Sequence, residues 1–93
     1  MDNDITTDRV VFLKDLDNQG EIVAVFPDLE WANGNLTCYA HVGQHGECSR
    51  RWARGKMRVE AKAGEITALY QELTNFVGYN LVIVGKDAIK KAA

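Results

Sequence analysis

The sequence predicts an α+β domain: a mostly antiparallel β-sheet, built from a β-hairpin and further strands, with one amphipathic helix packed on one face. Three observations predict it. Two apolar, β-branched runs, R-V-V-F-L-K-D-L at 9–16 and E-I-V-A-V-F at 21–26, flank the turn sequence Asp17-Asn18-Gln19-Gly20, the pattern of a hairpin. A stripe then falls at Ile66, Leu69, Tyr70, Leu73, Phe76 and Val77, the i, i+3, i+4, i+7 spacing of one helix face. The chain has 93 residues, enough for one small core and too few for two.

Taken in order, residues 1–8 are polar and read as a flexible acidic N-terminus. The first strand alternates Val10 and Phe12 with Val11 and Leu13. Apolar residues on both faces predict that both faces are partly covered. Pro27 ends the second strand, because proline cannot donate to a sheet ladder. Asp28–Asn35 reads as a loop turning at Asn33-Gly34-Asn35, and Leu36–Val42 as a third strand. Residues 43–55 hold three glycines and no convincing period, so they read as an irregular loop. Lys56–Ala61 reads as a short strand. The helix has Glu65 in its first turn, which suits the helix dipole, and Gly78 as its C-cap. Tyr79–Val84 reads as a buried strand. The packed unit is expected over 9–86, and 87–93 as a basic C-terminal tail.

Net charge is −2, too small to suggest a polyanion binder by itself. Its distribution is uneven. Asp2, Asp4, Asp8, Asp15 and Asp17 crowd the first part, and Arg50, Arg51, Arg54, Lys56 and Arg58 form a basic block. Separated charge suits partner recognition or self-association, including a homodimer. The start Met1-Asp2-Asn3-Asp4 has no basic flank or apolar run, and nothing approaches the roughly 20 apolar residues of a membrane span. A cytoplasmic protein with no membrane partner is expected, its two cysteines free thiols.

Four constellations carry chemistry. Cys38, His41, His45 and Cys48 are the ligand types of structural zinc. On a helix, however, they would span ~15 Å along the axis, and on a strand Cys38 and His41 would point to opposite faces. A tight loop alone could gather them, so a zinc-stabilised domain stands as an alternative, with no cofactor as the expectation. Gly43-Gln44-His45-Gly46 reads instead as a loop-structuring unit whose side chains bind bent backbone. Two histidines near arginines could serve acid–base cleavage of RNA. No nucleophile elbow, phosphate loop or H-E-x-x-H accompanies them, so the protein is read as non-enzymatic. Finally, Arg50, Arg51, Trp52, Arg54, Lys56 and Arg58 combine forked cations with a flat aromatic, a pairing suited to partner binding.

Further pieces, namely Val10-Val11-Phe12-x-Lys14, Gly20 to Pro27, Tyr39-x-His41-Val42-Gly43-Gln44-His45-Gly46, Glu72-Leu73 and Gly78-Tyr79-x-Leu81-x-Ile83-Val84, give a pattern that resembles a family of small uncharacterised phage and bacterial proteins. The resemblance covers roughly residues 9–86. It implies a compact domain and a phage or mobile-element setting. Two stretches depart from it. Lys62-Ala63 stand where relatives start the helix with Ser or Thr followed by Pro, which weakens the N-terminal cap, and Cys48–Arg58 is particular to this chain.

The expected function is therefore a small non-catalytic binding protein. It would dock on a host protein or protein–nucleic-acid complex and act by occlusion as an inhibitor of a host defence system. The alternative is a nucleic-acid-binding module that uses the same Arg50–Arg58 block.

Overall fold

The structure is a computed structural model that describes residues 7–40 and 44–91. Its strands are β1 (Asp8–Asp15), β2 (Glu21–Glu30), β3 (Leu36–Ala40), β4 (Gln44–Cys48), β5 (Arg58–Glu60) and β6 (Leu81–Ile83). Two helices join them, α1 (Arg50–Arg54) and α2 (Ala63–Gln71), the latter continued by a π-helical stretch over Glu72–Val77. The sheet runs β4-β3-β2-β1-β5, with β6 also on β1. All pairs are antiparallel except β1–β6. The fold is thus α+β, a mostly antiparallel six-stranded sheet with one main helix, as expected.

β1 is the centre. One edge pairs with β2 along Val11–Asp15. The other edge is shared: Asp8–Val10 meets β6 and Leu13–Asp15 meets β5. The hairpin turns through a 3₁₀ segment, Leu16–Asn18, and then Gln19 and Gly20 at φ 58° and 76°. The left-handed region needed there is what glycine reaches without penalty. β2 does not stop at Pro27. Pairing with β3 slips between Phe26 and Glu30, and the proline sits in that irregularity, where a missing N–H costs no ladder bond. The following turn uses Asn33 and Gly34 at φ 53° and 81°.

Strand alternation divides the core between two faces. On one, Val10, Phe12, Ala24, Phe26 and Tyr39 are buried under Leu69 of α2 and Leu73 of its π-helical continuation. Each of these two leucines contributes roughly 1.5–3 kcal/mol of burial before entropy is subtracted. On the other, Val11, Leu13, Val23, Val25, Leu36 and Cys48 are buried under Ala53 of α1 and Ile89, with Trp52 packed alongside.

Several expectations are corrected. The stretch 43–55 is not an irregular loop where it is described; it holds β4 and α1. A five-residue helix is too short to display a period, but Ser49 caps it, its hydroxyl accepting the Trp52 N–H at 3.0 Å. The helical stripe is shorter than its sequence. Phe76 is 84% exposed and Val77 is also exposed, because i→i+5 bonding widens the turn and rotates Phe76 off the sheet. Gly78, at φ 98°, ends the helix as expected, its N–H meeting the Leu73 carbonyl at 2.9 Å. Lys62 is the N-cap without a side-chain cap, and the Glu65 carboxylate accepts its backbone N–H at 2.8 Å instead. β6 is no buried strand: Val82 and Ile83 are 46% and 49% exposed at the sheet margin. Nor is 87–93 wholly a tail. After a 3₁₀ turn at Lys86–Ala88, Ile89 is fully buried in the α1 face. No helix among the described residues is long and apolar enough to cross a membrane.

Candidate partner-binding surface

The basic block divides into side chains that hold the fold and side chains that face solvent. Arg58 belongs to the first group. It is 9% exposed. Its Nε donates to the Trp52 carbonyl at 2.8 Å and its Nη1 to Asp17 at 2.9 Å, with Asp15 at 3.6 Å. Its guanidinium lies 4.9 Å from the Trp52 ring centroid, in cation–π contact. Arg58 therefore cannot serve as a partner anchor, and that expectation is corrected: the acidic turn of the hairpin pulls it inward. Trp52 is half-buried and packs on the core rather than standing free.

Arg50 and Arg54 are tied to backbone. Arg50 donates from Nε to the Gly34 carbonyl at 2.9 Å and from Nη1 to that of Lys90 at 3.3 Å; Arg54 donates to the Ile89 carbonyl at 2.6 Å. Lys86 joins them, its Nζ reaching the carbonyls of Gly55, at 2.7 Å, and of Arg58. Burial, followed by the positive field of Arg58 and Arg54, holds the Lys86 ammonium pKa below its ordinary value.

Arg51 and Lys56 are exposed and have no hydrogen-bond or ion-pair partner among the described residues. Arg51 and Lys91 together line two adjoining notches. One, about 480 Å³, lies between α1 and the β2–β3 turn, with Glu30, Asn33, Asn35 and Ser49 on its walls. The other, about 320 Å³, adds Arg54 and Gly55. Trp31, 48% exposed, belongs to the turn that walls the first notch. Sequence reasoning missed Lys86 and Lys91 as neighbours of the block. Their basic character was legible, but only the packing of Ile89 brings that segment to α1.

The Gly-Gln-His-Gly unit is strand where described, not loop. Gly43 and His41 lie outside the described residues. Gln44, His45 and Gly46 belong to β4, opposite Ala40, Tyr39 and Cys38. His45 sets its ring edge-on to Tyr39 at 4.9 Å and shares a 2.9 Å hydrogen bond between Nε2 and the Tyr79 hydroxyl. Tyr79 in turn stacks on Phe26 at 4.7 Å. Nearby, the Tyr39 hydroxyl donates to Glu72, which raises the phenol pKa. A β-carbon at Gly46 would meet nothing within 4 Å, so no steric demand explains that glycine.

His45 therefore projects into the α2 face, while Cys38 and Cys48 belong to the α1 face. This separation overturns the four-ligand zinc reading, and among the described residues no group of three or more His, Cys, Asp or Glu is placed to hold a metal. It also parts His45 from the arginines of α1. Both thiols are free. Interaction with the Cys48 side chain holds the Cys38 thiol below its ordinary pKa, against burial and the charge of Glu47. The same interaction, with burial, pushes Cys48 up.

Comparison with protein-family models, with curated proteins and with solved structures finds no match to this chain.

Proposed function

We propose that this protein is a small non-catalytic binding protein of phage or mobile-element type, which docks through its α1 face on an acidic surface of a host protein or protein–nucleic-acid complex. The observation that carries the reading is the pair of solvent-facing cations, Arg51 and Lys91, shared by two adjoining notches. Arg54 and Lys56 extend the same positive field. A guanidinium with unpaired N–H groups binds a carboxylate through two parallel hydrogen bonds. Docking would act by occlusion, and inhibition of a host defence system is the role this setting suggests. The phage setting itself rests on the sequence resemblance.

A second reading is supported by Trp31, an exposed aromatic in the turn whose neighbouring residues wall the first notch. Cations beside a flat ring also suit single-stranded nucleic acid. The two separate experimentally. Affinity capture from host cells is run with the wild type and with Arg51→Glu/Lys91→Glu. A partner recovered by the first and lost by the second, with unchanged circular dichroism, supports docking; equal recovery refutes this surface. Anisotropy with a labelled single-stranded oligonucleotide tests the other: binding that falls steeply with salt supports it, and none at low salt removes it.

A further inference from the structure

We propose that Cys38 and Cys48 form a two-thiol site for a soft monovalent cation of the Cu(I) class, held between β3 and β4 on the α1 face of the sheet. The placement follows from register. Cys38 pairs with Gly46 and Cys48 with Leu36, so the cysteines are diagonal neighbours on adjacent antiparallel strands. Even spacing puts both on one face, where Cys38 packs against the cluster that holds Cys48. Cys38 is half-buried and gives access from solvent, whereas Cys48 is buried beneath it among the residues that include Leu36 and Val25.

The register also selects the ligand. Diagonal residues on paired strands stand about 7–8 Å apart at Cα, at or beyond the roughly 7 Å limit for a disulfide without backbone movement. A bridging ion relaxes that demand, because two metal–sulfur bonds in series span a gap that a direct sulfur–sulfur bond does not. Zinc fits poorly, since it favours four ligands and among the described residues no third joins the pair. Soft thiolates in an apolar setting select Cu(I). Binding exchanges the two thiol protons for one cation and leaves the metal's oxidation state unchanged.

The test is anaerobic titration of the fully reduced protein with Cu(I) held by a chromogenic chelator. The wild type is expected to withdraw one equivalent. Cys38→Ser and Cys48→Ala are each expected to weaken that withdrawal at least tenfold, and His45→Ala, on the opposite face, to leave it unchanged. Cys38→Ser alters the more exposed thiol, so it carries the test if Cys48→Ala fails to fold. A wild type that leaves all Cu(I) with the chelator overturns the site, as does a folded Cys38→Ser that competes as well as the wild type. Rapid intramolecular disulfide formation with peroxide, without retention of the cation, overturns it in favour of a redox pair.

Discussion

The two faces of the sheet are closed by different physics. On the α2 face one helix lays Leu69 and Leu73 over Val10, Phe12, Ala24 and Phe26, and apolar burial holds it there. On the α1 face the cover is a set of short pieces: a five-residue helix, a 3₁₀ turn and the Ile89 side chain. Those pieces are too short to be stable helices alone. They are tied down by cations on carbonyl and carboxylate oxygens, through Arg50, Arg54, Arg58 and Lys86. The difference teaches that a cluster of basic residues is not by itself a binding surface. Here most of the cluster is spent on architecture, and Arg51, Lys56 and Lys91 remain for a partner.

Substitutions can break this comparison. Arg58→Ala should have the largest effect, about 3–5 kcal/mol, because it strands the buried Asp15 beside an emptied site. Arg58→Lys should recover little, since an ammonium lacks the guanidinium fork. Urea midpoints measure both, and a loss of Arg58 within error of wild type would remove the cation-tied account of the α1 face. Leu73→Ala should cost about 2–5 kcal/mol, and Phe76→Ala, one turn on, less than about 0.5 kcal/mol. Equal losses would contradict the π-helical rotation. Ile89→Ala should cost about 2–4 kcal/mol and lower the thermal midpoint, whereas a free tail would tolerate it.

Smaller effects sharpen the contrast. Glu65 is held below the ordinary carboxylate pKa, first by its hydrogen bond with Lys14 and then by the Lys62 N–H. A carboxylate depressed in the folded state stabilises above its unfolded pKa, about 4.3, and loses that contribution as pH falls through the folded value. The thermal midpoints of wild type and Glu65→Gln should therefore differ at neutral pH and converge in acid, as pH falls through the depressed folded-state pKa. A gap unchanged across that window would refute the pairing. Arg51→Glu and Lys91→Glu should shift stability by less than about 0.5 kcal/mol while affecting partner capture.

Much of the α2 face was legible from periodicity. Ile66, Leu69, Tyr70 and Leu73 keep the helical spacing, and Gly78 marks its end. The hairpin was legible from alternation around Asn18-Gln19-Gly20. The α1 face was largely illegible. Ser49 before R-R-W-A-R was the available signal for α1, but a single helical turn shows no repeat to confirm it. The inward turn of Arg58 depends on Asp15 and Asp17, more than 40 residues away in the chain. Tyr79–Val84 shows the same limit from the other side. Its apolar run suits a buried strand, yet β5 occupies the second half of the β1 edge and leaves β6 only three residues at the margin.

By itself the sequence determined the class of this protein, its hairpin, its main helix and the two-sided burial of the sheet, because each is written in side-chain period and turn chemistry over fewer than about 20 residues. Tertiary structure alone decided which cations face solvent, which side of the sheet His45 joins, and that Cys38 and Cys48 meet. Those outcomes depend on cross-strand register and on which distant carbonyl or carboxylate a side chain reaches, and neither has a local signature in the chain.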